Sequence, residues 1–343
     1  MNTITGTLLC ALGGIAGATF ALPFRGIRSW RYESYWLVYA VAGLVVFPFV
    51  LASVTCPQFL DLIRSADRSV VLRCVGFGAL WGLGGLTWGL MIRYLGIGLG
   101  LAIGCGLCSA TGTLIPPIVS GRAGDLFKDT PAIITFVSVL VSLVGIVLVG
   151  LAGKLKEGEL DEEAKKKAVA EFDFRKGMIV AVFSGIASAG MNFGLQGGVP
   201  LEASARAAGV DAKWIGMPVL VVVLWGGFLV NGAWCLWQNF KNKSLSDYSP
   251  RNISLFAPNL LLAALAGVIW ALQFACQKVG EPAMGDLRYI SFAVVMGSCV
   301  LFSSLLGVFL GEWKGTSGRT RVCLSGGLAV LALSIVLAVV AKG

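Results

Sequence analysis

Long apolar stretches recur along the whole chain, and charged residues are concentrated in the segments between them. An α-helix needs about 20 apolar residues to cross the hydrocarbon core of a bilayer. Ten stretches meet this requirement: 4–22, 35–53, 70–92, 96–119, 131–152, 177–197, 215–238, 255–277, 287–310 and 322–341. The pattern therefore predicts an all-α polytopic membrane protein with ten transmembrane helices.

The longest polar segment, residues 154–176, separates five predicted helices in 1–153 from five in 177–343. An odd number of helices in each half gives the halves opposite orientations, as in the inverted repeats of many secondary transporters. We therefore expect two inverted five-helix repeats joined by a connecting loop at 154–176.

A weak internal similarity favours the same plan. Residues 14–18 (Gly-Ile-Ala-Gly-Ala) in the first predicted helix resemble 185–189 (Gly-Ile-Ala-Ser-Ala) in the sixth. Trp81-Gly82-Leu83 in the third predicted helix likewise resembles Trp270-Ala271-Leu272 in the eighth. Both similarities fall at equivalent helices of the two halves.

Composition and charge agree with a membrane location. The chain is 57% hydrophobic and 13% charged, whereas soluble domains are about one quarter charged. Its net charge is +9, but the basic residues are spread among the segments between helices, so the predicted partner is the lipid bilayer and not nucleic acid. Of the 27 Lys and Arg residues, 17 adjoin the odd-numbered loops, which predicts that these loops are cytoplasmic and that both ends of the chain face outward. That asymmetry depends on the segment 153–176.

A few polar side chains interrupt the apolar helices at helical spacing. Ser184, Ser188, Asn192 and Gln196 share one face of the sixth predicted helix, and Asn231 lies in the seventh. Buried amides need partners, so one interpretation is hydrogen bonding between helices. The other is that they line a hydrated cavity and bind a polyhydroxylated solute.

Tryptophan adds to the second interpretation. Trp81 and Trp88 share a face of the third predicted helix, and Trp270 and Gln273 share a face of the eighth. Tryptophan often anchors a helix at the membrane interface, but Trp81 falls in the middle of its helix. An indole ring can pack against the C–H face of a sugar while amides bind its hydroxyl groups.

Acidic residues are almost absent from the predicted helices, and the chain has no histidine. Glu33 precedes the second predicted helix and Glu202 follows the sixth, at nearly equivalent places in the two halves. They are the candidate proton-coupling residues, although loop carboxylates are commonly just solvated. No phosphate-binding loop, metal motif or nucleophile constellation occurs, so the sequence predicts neither a cofactor nor an enzyme.

Several motifs resemble the L-rhamnose–proton symporter family of the drug/metabolite transporter superfamily. They are Pro23-Phe24-Arg25, Trp30-Arg31-Tyr32-Glu33, Phe77-Gly78-Ala79-Leu80-Trp81-Gly82, Met91-Ile92-Arg93-Tyr94-Leu95-Gly96, Gly112-Thr113-Leu114, the run 202–211 and Tyr289-Ile290-Ser291. The resemblance covers essentially the whole chain. It implies import of a deoxy sugar together with a proton across the cytoplasmic (inner) membrane of a bacterium.

The third predicted helix departs from the family pattern. Gly85 and Thr87 stand where the family places asparagines, and Trp88 stands where it places tyrosine, whereas Glu202 and Gln273 match. The departures leave open which monosaccharide is carried. The alternative function is an exporter or exchanger of another small metabolite within the same superfamily.

Overall fold

The structure is a computed structural model that describes residues 3–119, 124, 127–160, 163, 171–249, 253–284 and 291–340. Across these residues the regular secondary structure is helical throughout, without a strand. The α-helices are α1 (Thr3–Thr19), α2 (Tyr32–Ala40), α3 (Phe47–Thr55), α4 (Phe59–Ser65), α5 (Arg68–Leu95), α6 (Ile97–Val119), α7 (Thr130–Glu159), α8 (Phe174–Ser188), α9 (Gly190–Gly197), α10 (Val199–Ala207), α11 (Met217–Asn242), α12 (Ile253–Gly280), α13 (Ser291–Phe309) and α14 (Gly318–Val340).

Seven helical segments within the described residues are long and apolar enough to cross a membrane. They are Ile4–Gly26, Tyr32–Thr55, Arg68–Leu95, Ala132–Glu159, Phe174–Ala207, Met217–Asn242 and Leu255–Met284. Two shorter apolar helices occur at Ile97–Gly112 and Val294–Phe309. An all-helical polytopic membrane protein is therefore confirmed, whereas ten crossings in inverted repeats stay a prediction. Residues 161–162 and 164–170 of the predicted connecting loop, and 287–290 of the ninth predicted helix, lie outside the described residues.

Two helices in the structure differ from the apolar stretches that predicted them. The fifth continues beyond 152 to Glu159, where the ammonium of Lys156 is buried 4.9 Å from the ring centre of Phe172 and 5.0 Å from that of Trp313. Contact with these aromatic faces stabilises the buried ammonium group of Lys156. The sixth is interrupted at Ala189, between α8 and α9. At the next residue, Gly190, a Cβ atom would lie 2.8 Å from the carbonyl oxygen of Phe77.

A π-helical turn at Val41–Val46 joins α2 to α3 within the second predicted helix. At its centre the chain passes very close to α12, since a Cβ atom on Gly43 would lie 2.5 Å from the carbonyl oxygen of Gly267. The turn buries the side chain of Leu44 toward the interior of the bundle. Single π-helical turns inside α-helices often accompany functional sites.

Glycine also brings α5 and α11 into backbone contact. A Cβ atom on Gly82 would lie 2.7 Å from the carbonyl oxygen of Gly227, and one on Gly78 would collide with that of Val223. In lipid, small residues allow this approach and van der Waals contact holds the helices together. The outer surface carries exposed apolar residues at helical spacing, such as Ile4, Leu8 and Leu12 on α1, as contact with lipid requires.

The long helices pack in a regular arrangement around the centre of the bundle. Helix α1 packs against α12 and α13, and α8 packs against α5 and α6. Helix α6 contacts α13, α7 contacts α14, and α11 contacts α2 and α3. Residues of α1, α2, α5, α6, α8, α11, α12 and α13 line a common interior space.

The α5–α11 contact generates a stability prediction. Gly82→Ala adds a methyl group where the α11 backbone leaves no room, so the helices must separate. We expect a loss of roughly 1–3 kcal/mol in the free energy of unfolding, as overpacking typically causes. Thermal denaturation of the purified protein in detergent measures it.

The matched control is Gly76→Ala on the same helix, because a Cβ atom there has no neighbour within 4 Å. That variant should be as stable as the wild type or slightly more so, since alanine favours helix over glycine. Equal losses in both variants would contradict the backbone contact.

Candidate solute-binding site

A narrow cavity lies at the centre of the bundle. Its walls are mostly aromatic and sulfur-bearing, with only a few polar side chains. The aromatic residues lining it are Phe20, Trp36, Tyr39, Trp81, Trp88, Trp270, Phe274 and Phe292, and the polar residues are Ser188, Asn231 and Gln273. Apolar walls with a small number of placed polar groups are the usual make-up of a small-molecule site.

Two tryptophans from different halves of the chain form one wall of this cavity. The rings of Trp81 on α5 and Trp270 on α12 are stacked, with centroids 5.0 Å apart and planes at 22°. Tyr39 and Phe274 flank Trp270 at 6.3 Å and 5.1 Å between ring centroids. The result is a rigid apolar surface of the kind that packs against the C–H face of a sugar ring.

Asn231 lies in the cavity wall, and protein groups already use its amide. Its Oδ1 accepts a hydrogen bond from Trp36 Nε1 at 3.1 Å. Its Nδ2 donates to the carbonyl oxygens of Gly82 at 3.1 Å and Gly227 at 3.0 Å. Asn231 thus ties α11 to α5 and fixes the indole ring of Trp36, in line with hydrogen bonding between helices.

Trp88 is oriented in a similar way. Its Nε1 donates to Ser188 Oγ on α8 at 2.6 Å. One turn earlier on α8, Ser184 Oγ lies 2.5 Å from Thr87 Oγ1 of α5. The first two members of the polar stripe on the sixth predicted helix therefore hold α8 against α5.

Gln273 differs from Asn231 and Ser188 in its hydrogen bonding. It is 5% exposed and lines the cavity, with its side chain against Gly17 of α1, where a Cβ atom would collide with it. Among the described residues its carboxamide has no hydrogen-bond partner. A buried amide without a protein partner is available to a ligand, since leaving it unpaired costs free energy.

Asn192 and Gln196 line a second cavity, together with Gln277, Lys278, Glu281 and Ser291. Asn192 Nδ2 also donates to the carbonyl oxygen of Gly112 at 3.2 Å. Phe292 lines both cavities and so separates them. The predicted solute-binding residues are therefore divided: Trp81, Trp88, Asn231, Trp270 and Gln273 lie at the central cavity, and Asn192 and Gln196 lie at the second.

Glu33 lies in a polar group of residues where α2 begins and α11 ends, here called the Glu33 cluster. Its Oε1 accepts hydrogen bonds from Asn242 Nδ2 at 2.9 Å and Ser244 Oγ at 2.8 Å. Asn239 Nδ2 donates to the main-chain oxygen of Glu33 at 3.2 Å. Neutral donors thus hold this carboxylate and dock the start of α2 on the end of α11.

Tyr248 closes the same end of the bundle. Its hydroxyl donates to the main-chain oxygen of Ser34 at 2.9 Å. Burial raises the pKa of Tyr248 to about 12, so the hydroxyl keeps its proton and remains a donor at physiological pH.

Glu202 lies where α11 begins, at the opposite end of that helix from the Glu33 cluster, and its partners were missed by the sequence analysis. Lys278 Nζ lies 2.6 Å from Glu202 Oε1 and 2.9 Å from Glu281 Oε2. In the sequence Lys278 falls just after the eighth predicted helix, and Glu281 lies in the segment that follows. Their spacing of three residues on one helical face was the available signal.

Helices that cross a membrane around an enclosed, largely apolar cavity define a polytopic membrane transporter. The family model described as L-rhamnose-proton symport protein (RhaT) matches residues 1–343. The chain belongs to this family, and it is a transporter rather than an enzyme.

Curated relatives agree with the family. The chain is 36% identical to an L-rhamnose-proton symporter of Cronobacter sakazakii, covering 99% of this chain and 96% of the relative. It is 34% identical to proteins of the same name from Shigella sonnei and Escherichia coli, covering 96% of each chain.

The contrast between Asn231 and Gln273 gives a second stability prediction. Asn231→Ala removes hydrogen bonds that join two helices, so we expect a loss of roughly 1–2 kcal/mol, as such bonds contribute in membranes. Gln273→Ala removes no protein hydrogen bond and should change stability less. Denaturation of both purified variants without sugar measures this, and a larger loss for Gln273→Ala would contradict it.

Proposed function

We propose that this protein imports L-rhamnose, or a closely related monosaccharide, together with a proton across the inner membrane of a bacterium. The three relatives compared above come from bacteria and carry the name of L-rhamnose-proton symporters over nearly their full length. The observation that carries the proposal is Gln273, a buried amide that has no hydrogen-bond partner among the described residues and lies beside the stacked rings of Trp81 and Trp270.

The sugar sits against the tryptophan wall and hydrogen-bonds to Gln273. Trp81, Trp88 and Trp270 provide apolar surface, and Asn231 keeps the wall in place while presenting its polar edge to the cavity. Asn192 and Gln196 lie on the approach to the site through the second cavity. Amides along the route replace the water that the sugar's hydroxyl groups lose.

Gly85 bears on which sugar is carried. It lines the central cavity, and a Cβ atom there would lie 3.7 Å from Trp81 and 3.8 Å from Asn231, in ordinary van der Waals contact. The family pattern has asparagine at this position. Glycine at this position removes one polar group and leaves more room in the cavity. The contacts to the sugar therefore differ from those of the family pattern, which favours a monosaccharide related to L-rhamnose.

Transport by alternating access requires two halves that can rock around the site, and the packing supports two inverted five-helix repeats. In this plan α1 is equivalent to α8, α5 to α12, and α6 to α13. The contacts of α1 with α12 and α13 then correspond to contacts of α8 with α5 and α6, and both sets of contacts occur. Equivalent glycines make equivalent approaches: Gly14 approaches Cys299 on α13, and Gly185 approaches Cys108 on α6. Trp81 and Trp270 are also equivalent, and they meet at the centre.

The coupled proton needs a carboxylate, since the chain has no histidine. Glu33 and Glu202 are the candidates, one at each end of α11. By the distribution of basic residues the Glu33 cluster faces the cytoplasm and Glu202 faces outward. Glu202 shares a lysine with a second carboxylate beside a cavity, whereas neutral donors hold Glu33.

Uptake of radiolabelled L-rhamnose by cells that express the protein and lack their own transporter tests this function. We expect accumulation that an uncoupler abolishes, because the proton gradient drives it. Counterflow, in which internal unlabelled sugar exchanges for labelled sugar, should persist. Accumulation that survives the uncoupler, or net efflux, would favour the exchanger or exporter.

Gln273→Ala should weaken sugar binding by roughly 1–3 kcal/mol, because the hydroxyl group it binds is left unpaired. This corresponds to about five- to 150-fold in the dissociation constant. Titration of the purified variant with sugar measures the change. An unchanged affinity would remove Gln273 from the site.

A further inference from the structure

Three buried charged side chains form what we call the Lys278 cluster: Glu202 on α10, Lys278 on α12 and Glu281 just after α12. The ammonium of Lys278 contacts both carboxylates, at 2.6 Å and 2.9 Å. The side chains of Glu202, Lys278 and Glu281 are 7%, 5% and 15% exposed. Among the described residues the cluster therefore holds one carboxylate more than it has ammonium groups.

Such a cluster is an expensive way to stabilise a membrane protein. Charges taken out of water lose hydration that their mutual attraction repays only in part. Ionisable residues at membrane depth face cavities and commonly belong to ion or proton pathways. The second cavity, lined by Lys278 and Glu281, is such a cavity.

The same cavity contains an independent sign of a polar occupant. Gln277, one residue before Lys278, lines it, and its buried Oε1 has no hydrogen-bond partner within the part of the chain that the structure describes. Its Nε2 donates to Ser291 Oγ at 3.3 Å. A buried acceptor at the cavity wall is satisfied by water or solute that fills the cavity.

We propose that the Lys278 cluster is where the coupled proton binds, with the carboxylate of Glu281 as the group that takes it. This inference rests on the proposed function, because it names the proton site of the same transporter. Glu281 is chosen over Glu202 because it is the more exposed of the two and lines the cavity. A hydronium ion in the cavity gives up the proton: one of its O–H bonds breaks, an O–H bond forms on the carboxylate of Glu281, and a neutral water remains. The described cluster thereby changes from one net negative charge to neutral.

Protonation of Glu281 can act, through Ser291, on Phe292, the residue that lines both cavities. Ser291 Oγ lies 3.4 Å from Glu281 Oε1, and Ser291 is the first residue of α13. Phe292, the next residue, separates the two cavities. A neutral Glu281 holds Lys278 and Ser291 less strongly, which frees the first turn of α13 and the ring of Phe292 to move.

Helix α12 links the cluster to the sugar site. Gln273 and Gln277 are one turn apart on it, and Lys278 follows directly. A shift of α12 on sugar binding therefore moves Lys278, and a change in the cluster moves Gln273. Proton and sugar binding then favour each other reciprocally, as symport requires.

Few other titratable groups face the cluster. Within the described residues these are the thiols of Cys10 on α1, Cys74 on α5 and Cys276 on α12, which interact electrostatically with the cluster or with each other. Thiols are mostly neutral at pH 7. Among the described residues that line this cavity, the charged groups are Lys278 and Glu281.

The test reconstitutes wild type, Glu281→Gln, Glu202→Gln and Glu33→Gln into proteoliposomes and measures accumulation driven by a pH gradient, together with counterflow. Glu281→Gln should keep counterflow and lose accumulation, because it carries sugar without a proton. Asp61→Asn is the matched control: it neutralises an exposed carboxylate paired with Arg64 on α4, and accumulation should be unchanged.

A second readout does not depend on the sugar. On acidification, the infrared band of protonated carboxyl groups should grow less in Glu281→Gln than in the wild type, by the contribution of one carboxyl group. Failure of wild-type rhamnose uptake would reject the proposed function, and the infrared comparison would still decide the proton site. Normal accumulation in Glu281→Gln, an unchanged band, or a folded variant that loses counterflow as well would overturn the proposal. The proposal would also be overturned if Glu202→Gln or Glu33→Gln lost coupling while Glu281→Gln kept it.

Discussion

A bilayer offers no hydrogen-bond partners, so each polar side chain within a spanning helix has to find one inside the protein. Most polar groups in this bundle obey that constraint by tying helices together. Asn231 joins α11 to α5 and holds Trp36, and Ser188 holds Trp88. The groups left over are informative for the same reason. Two of the groups without a hydrogen-bond partner within the described part of the chain, the amide of Gln273 and the Oε1 of Gln277, lie at cavities.

The shape of the interior follows from where backbones can approach. Gly78 and Gly82 bring α5 against α11, and Gly43 brings the π-helical turn against α12. These contacts place tryptophans from α5 and α12 face to face at the centre, with an aromatic wall that resists collapse. Larger apolar residues in place of these glycines would hold the same helices further apart. The central cavity would then be wider, and the two tryptophans would no longer form one wall.

The two ends of α11 are closed by different chemistry. Amide and hydroxyl donors hold Glu33 at one end, and their bonds do not depend on a second charged group. At the other end one lysine holds two carboxylates, so the strength of the contact depends on how many protons are present. An inward-moving proton and a moving helix can be coupled through the second arrangement more directly than through the first.

Sequence alone determined the class of protein. The length and hydropathy of each apolar stretch are local properties, and they are what decides whether a helix is stable in a bilayer. It also determined the family, through motifs spread over the chain, and it selected Trp81, Trp270 and Gln273 as neighbours in space. The number of membrane crossings and the substrate-binding roles remain predictions. The tertiary structure decided that Asn192 and Gln196 lie at a different cavity from Gln273, and that the amide of Asn231 is already bonded. It also decided that Glu202 meets Lys278 and Glu281. Helical periodicity gives the face of a helix on which a side chain lies, whereas its partner depends on how helices distant in sequence pack together.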